Sequence, residues 1–359
     1  MTKRLLVASM IMVFALGQGM AAAGPALAAE ETSEISIASG RPGDPWNVVS
    51  HALAGFINKR SEWLRANVVA TAGVSDDTRM VVSKKKKRSN HILVSMVPGW
   101  RYLGKGEYKA YKIGSLLHLS SVWVTLDPKL KNLADLKGKT VTLPRKVPKA
   151  YAWIFSDLLK QAGVWETVTP LHGGLGAGLI ALRDGAATAG VQMYNFAYPD
   201  TFKLGSKLEE LQTRGTLYFL QQGNVKANLE AIAKACRTKD FEGQNLPTLA
   251  TVVPAGSLGK TQTQDMAVVT CPIFWACSKD VSDEIVYEFT RILYGAAKAG
   301  DFADYHAIGK GITPEFLVSS FWGTEKEARE NYHPGALKFY DEMGVKMRSF
   351  GESYKKYIE

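Results

Sequence analysis

Two stretches of this 359-residue chain, 113–126 and 265–278, read as β-strands more than twice the ordinary length, and they limit the folds open to it. The first carries Leu116-Leu117-His118-Leu119 and then Val122-Trp123-Val124, closed by Asp127-Pro128; the second runs through Pro272-Ile273-Phe274-Trp275-Ala276. Around them, shorter strands alternate with helices. Strands are expected at 35–39, 68–71, 92–97, 140–143 and 189–194, and helices at 46–59, 150–162, 179–183 and 282–299. Ser282 is the N-cap of the last helix, with Asp283 and Glu284 in its first turn. This alternation indicates an α/β protein with largely parallel sheets. At roughly 150 residues per domain the length fits about two domains, and the two long strands are the candidates for passing between them.

The first residues have a different character. Lys3 and Arg4 precede an apolar run over 5–16, then small residues and Ala26-Leu27-Ala28 ahead of Ala29 and Glu30-Glu31. That order is a secretory signal peptide, residues 1–28, cleaved near Ala28. The run falls short of the roughly 20 residues that a spanning helix needs. Periplasmic export follows, with a formal charge of +10, or +8 once Lys3 and Arg4 leave 42 basic against 34 acidic side chains. Such an excess favours anionic partners without choosing among them. In an oxidising compartment Cys236, Cys271 and Cys277 allow at most one internal disulfide. Cys271 and Cys277 lie about 20 Å apart along one strand, too far to bridge, so buried free thiols are expected. The run Lys84-Lys85-Lys86-Lys87-Arg88 reads as a solvated turn, or as a docking surface for an acidic partner.

Searches for chemistry return near misses. Gly99-x-x-x-x-Gly104-Lys105-Gly106 has Gly106 where a P-loop needs Ser or Thr for Mg²⁺. Gly176-x-Gly178-x-x-Ala181 is a weak dinucleotide pattern; with Gly173 and Gly174 it reads as a turn where backbone approaches a ligand or another strand. The six histidines form no H-E-x-x-H, and no G-x-S-x-G elbow is present. Asp76-Asp77 reads as a helix-start cap. Aromatics among basic residues, as in Trp100-Arg101-Tyr102, belong to no recognised nucleic-acid module. The expectation is a binding protein: no catalytic residues, no metal, no cofactor, no nucleic acid.

One set of segments is more informative. A strand runs into Gly40-Arg41-Pro42-Gly43-Asp44-Pro45-Trp46 and then a helix; later come Asn132-Leu133-Ala134-Asp135-Leu136-Lys137-Gly138-Lys139, Asp283-Glu284-Ile285-Val286-Tyr287 and His333-Pro334-Gly335-Ala336-Leu337-Lys338-Phe339-Tyr340. Together these resemble the TAXI family, the extracytoplasmic solute receptors of tripartite ATP-independent periplasmic (TRAP) transporters. The resemblance implies a type II periplasmic binding protein fold, with lobe 1 over 32–126 and 266–359, lobe 2 over 127–265, and the two long strands as crossings. It also implies a monomer that closes on a small organic anion and delivers it to TRAP permease subunits. The alternative is a stand-alone receptor presenting its solute to a membrane sensor.

The expected site has two walls. A glycine turn feeding a helix N-terminus offers backbone N–H groups and the positive end of the helix dipole to an anion, which places Gly40, Gly43 and Trp46 at the first wall. By the resemblance, Ser75 and Asp76 from segment 71–77 and Ser95 from the third strand join them. On lobe 2 the family's small hydroxyl residues are replaced by Pro144-Arg145-Lys146-Val147-Pro148-Lys149-Ala150-Tyr151. Cations at a helix start oppose the dipole unless an anion lies between them, so Arg145, Lys149 and Tyr151 are ligand candidates, with Arg145 suited to a bidentate grip. Tyr194 and Asn195 follow from family position. With Trp46, Tyr151, Trp153, Tyr194 and Tyr198 the pocket is aromatic, which favours a planar or aromatic carboxylate, with a dicarboxylate as the alternative.

Overall fold

The computed structural model describes residues 32–73, 76–77, 89–96, 110–144, 152–197, 201–202, 206–236, 250–320 and 325–349. Alternation in Ser-Glu-Ile-Ser-Ile-Ala makes β1 (Ser33–Ala38), whose Ile35 and Ile37 are buried. Helix α1 (Pro45–Arg60) follows, with Pro45 at a first-turn position where its missing N–H costs nothing and Lys59 and Arg60 in the last turn. Then come β2 (Leu64–Val69), β3 (His91–Met96) and the long β4 (Ala110–Thr125). The chain continues through β5 (Thr140–Leu143), α2 (Ala152–Gln161), β6 (Thr169–His172), α3 (Gly174–Arg183) and β7 (Ala189–Ala197). After β8 (Thr201–Phe202), α4 (Ser206–Gln212), β9 (Tyr218–Phe219) and α5 (Val225–Cys236), β10 (Ala250–Val253) leads to the second long strand, β11 (Met266–Ser278). Helix α6 (Asp283–Ala299) and, further on, α7 (Pro334–Glu342) complete the core.

The main sheet has the order β2-β1-β3-β11-β4-β7-β5-β6, with β10 on β11, β8 on β7 and β9 on β4. Two parallel groups lie at its ends, β2-β1-β3 and β7-β5-β6. The antiparallel pair β4–β11 joins them. Residues 273–277 of β11 pair with β3, whereas 118–125 of β4 pair with β7, so β11 borders the first group and β4 the second. Every residue of β11 is buried, which is why its sequence carries no alternation. Pro272 stands inside this buried strand opposite His118, and the register shifts just beyond it, between Ile273 and Phe274. The described residues cohere as one compact unit.

The α/β class and the presence of two long strands agree with the sequence expectation. Local signals are also met: Ser282 accepts the Ile285 N–H, and Gly300 closes α6 in the left-handed region at φ 76°. Cys271 and Cys277 are buried free thiols, and burial pushes both up. Two differences stand out. Strand β2 begins at Leu64, earlier than expected, and the glycines of 174–178 lie inside α3 instead of a turn.

Several motif residues serve packing. The Asp135 carboxylate accepts the Lys131 and Asn132 N–H groups (2.8 Å each) and closes the turn that seats the buried Leu133 and Leu136. His333 accepts the Gly335 N–H through Nδ1 (3.2 Å) and caps α7. A Cβ on Gly335 would stand 2.3 Å from the Asp283 carbonyl oxygen, so the His-Pro-Gly segment and the start of α6 meet backbone to backbone. The signal peptide and the 84–88 run lie outside the described residues.

Candidate functional site

The best-defined group of polar residues lies at the carboxyl ends of β1, β2 and β3. Gly40 leaves β1 at φ 58°, a left-handed conformation that favours glycine. Its carbonyl accepts the Thr71 N–H (2.8 Å), and its own N–H donates to both carboxylate oxygens of Asp77 at 3.2 and 3.3 Å. The Thr71 hydroxyl donates to the same carboxylate. Trp46 covers the turn: a Cβ on Gly40 would stand 2.2 Å from its indole nitrogen, and that buried Nε1 has no hydrogen-bond partner.

A buried network holds this turn from beneath. The Ser39 hydroxyl donates to the Trp46 carbonyl (3.1 Å) and lies 2.8 Å from Ser50 Oγ, which also receives the Trp275 indole N–H (3.3 Å). The Asn47 amide donates to the Ser39 carbonyl at 2.8 Å. On the outer side, Asp44 accepts the Arg41 N–H (3.0 Å), the Arg41 guanidinium donates to the Ala72 carbonyl (3.1 Å), and Asp76 accepts the Ala72 N–H (3.2 Å). Asp44 therefore caps the turn and not the helix.

Burial pushes the Asp77 carboxyl up to about 7, against the opposing pull of the Thr71 and Gly40 hydrogen bonds; Asp76 and Asp44 push the same way as burial. The Gly40 N–H expected to face an anion is thus satisfied by the chain's own carboxyl group. Neither Asp77 nor Thr71 was a sequence candidate. The signal for Asp77 was its place beside Asp76, which reads as a helix-start cap.

Ser95 is fully buried, and its hydroxyl has no hydrogen-bond partner. The β1–β3 register sets Ala38 opposite Leu93, which brings Ser95 level with Gly40 two residues on. Gly43 is exposed at φ 86°. Ser75, Arg145, Lys149 and Tyr151 lie outside the described residues, as do Lys146 and Tyr198. Tyr194 and Asn195 stand on β7 opposite Ser120 and Leu119 of β4. Trp153 packs half-buried against the core from α2.

In the other parallel group, Thr142 and Gln192 are each 2% exposed, with Thr142 Oγ1 and Gln192 Nε2 lacking hydrogen-bond partners. A Cβ on Gly178 would stand 3.0 Å from the first and 3.3 Å from the second. Gly178 therefore lets α3 press onto the strands, the second of the two uses expected for the glycine cluster. Among the described residues no His, Cys, Asp and Glu gather as a metal site, and no helix is long and apolar enough to cross a membrane.

Residues 226–344 match the NMT1-like family. Among solved structures, this chain is similar to a periplasmic sulfonate-binding protein, SsuA, of a sulfonate ABC transporter from Methylobacillus flagellatus, at 14% identity over 92% of this chain and 96% of that one, with a TM-score of 0.45. It is similar to a TctC solute-binding protein from Polaromonas at 12% identity, over 90% and 93% of the two chains, with a TM-score of 0.46. The aliphatic sulphonate-binding protein SsuA from Escherichia coli gives 11% identity over 88% and 90%, again at 0.46. At these scores the likeness adds nothing to the strand order already described.

Proposed function

We propose that this chain is an exported solute receptor of the TAXI type, which holds a small organic anion between two lobes and hands it to a TRAP-type permease. The observation that carries the reading is the gathering of Gly40, Trp46, Thr71, Asp77 and Ser95 at the carboxyl ends of β1–β3, where open α/β sheets bind ligands. Among the described residues the sheet links its two parallel strand groups through β4 and β11, which supports a division into lobe 1 (32–126 and 266–359) and lobe 2 (127–265). Lobe 1 offers the ligand hydroxyl and indole N–H donors and a carboxyl group close to neutrality. The charge of an anion is met from lobe 2, where we assign Arg145 and Lys149 as anchors and Tyr151, Tyr194 and Asn195 as flanking contacts. The chain acts as a carrier, and ion coupling belongs to the permease.

A thermal-shift screen of the mature chain from Ala29 against amino acids, keto acids, dicarboxylates and aromatic acids tests this reading. A ligand that binds only the folded state raises the Tm with the logarithm of its saturation. A carboxylate that raises the Tm of the wild type and not of Arg145→Ala is the expected result. Stabilisation by cationic solutes alone would overturn it and move the ligand contacts to Asp44, Asp76 and Asp77.

A further inference from the structure

Away from the candidate site, a recess lies between β4, β11, α2 and α5. It encloses about 260 Å³ of non-protein space, open mouth included, and its interior has room for about one water molecule. Ser121 and Trp123, two apart on β4 and hence on one face of the sheet, both line it. They are 2% and 3% exposed, and neither Ser121 Oγ nor Trp123 Nε1 has a hydrogen-bond partner. Buried polar groups in folded proteins are nearly always paired, and ordered water is the usual partner where protein supplies none.

The chemistry of the walls selects the occupant. An indole N–H only donates, so the guest must present an acceptor. A serine hydroxyl donates or accepts, so one oxygen can serve both groups. Phe155, Leu158, Ile232 and Met266 make the facing walls apolar, and the amide of Gln221 is already bonded to Asn228 (3.2 Å). An ion here would be buried without a counter-charge, which is strongly unfavourable. The guest is a neutral oxygen.

We propose that the recess is an internal hydration site in which one water accepts the Trp123 indole N–H and shares a hydrogen bond with the Ser121 hydroxyl. The polar face of β4 at Ser121 and Trp123 is then completed by solvent and not by protein. This site is independent of the ligand reading above.

A crystal structure of the mature chain to better than 2 Å resolution, the order at which waters are placed with confidence, tests it directly. One density peak within hydrogen-bond distance of both Ser121 Oγ and Trp123 Nε1 is expected; an empty recess overturns the proposal. Ser121→Ala gives a readout of opposite sign for the two cases. If water is present, the variant strips it of a partner and the Tm falls by about 2 °C. If the recess is dry, deleting an unpaired buried hydroxyl leaves the Tm unchanged or raises it, and the proposal fails. Acetone, ethanol and acetamide are added to wild type and variant in parallel. A Tm rise confined to the wild type would replace water with a small organic guest and overturn the assignment.

Discussion

Asp77→Asn is the most informative single change in this chain. The wild-type carboxyl ionises at about 7 in the folded protein against an ordinary 3.8. Below pH 3.8 both folded and unfolded chains carry the proton, and the group has no net effect. As pH rises from there towards 7, the unfolded chain releases its proton while the folded chain keeps it, so stability declines. Three pKa units at about 1.4 kcal/mol each make that decline about 4 kcal/mol, complete near pH 8. Asparagine keeps the shape and does not ionise. Its altered hydrogen bonds to Gly40 and Thr71 add an offset that does not vary with pH. The assay is urea unfolding of the mature wild type and variant at pH 4, 5.5, 7 and 8, followed by tryptophan fluorescence. The variant's stability relative to wild type should climb by about 4 kcal/mol across that range. A flat difference would mean that Asp77 is solvated or charge-paired. A difference that falls with pH would mean that the Thr71 and Gly40 hydrogen bonds outweigh burial, and either result refutes the argument.

Other perturbations follow from close contacts and buried pairs. Gly335→Ala places a methyl 2.3 Å from the Asp283 carbonyl and should destabilise by about 3 kcal/mol in denaturant titration, because backbone lies on both sides of the contact. Ser50→Ala leaves the Ser39 hydroxyl and the Trp275 indole N–H short of a shared partner, at a cost of about 2 kcal/mol measured the same way. Cys271 and Cys277 should resist a thiol reagent in the native protein at pH 8 and react fully in urea, since burial both shields them and suppresses the thiolate. Burial holds His333 below its ordinary value of 6.5. Its neutral form is therefore favoured in the folded state, and its contribution to stability is present above pH 6.5 and lost as pH falls below that; His333→Asn should flatten the loss between pH 6.5 and 4.5.

What the sequence made legible is what short-range chemistry determines. Ser282, Gly300 and Pro45 announce helix ends because each acts on backbone within a turn of itself. The long strands were readable from their unbroken stretches of β-branched, aromatic and aliphatic residues, and in β11 burial of every residue leaves no alternation. The glycines of α3 were misread for the complementary reason. Gly178 is small because Thr142 and Gln192, from strands flanking it in space, come within about 3 Å of where its side chain would stand, and local propensity sees only a turn former. Asp77 was hidden in the same way. Its burial and its near-neutral carboxyl depend on Gly40 and Thr71 meeting across the ends of β1 and β2, a pairing between residues 31 apart in the chain. An anion-binding turn and a turn already filled by its own carboxyl have the same glycines, so only the parallel register of β1 and β2 tells them apart. The consequence is chemical: where Asp77 keeps its proton, this end of the sheet is neutral, and the anion proposed as ligand would draw its counter-charge from elsewhere in the chain.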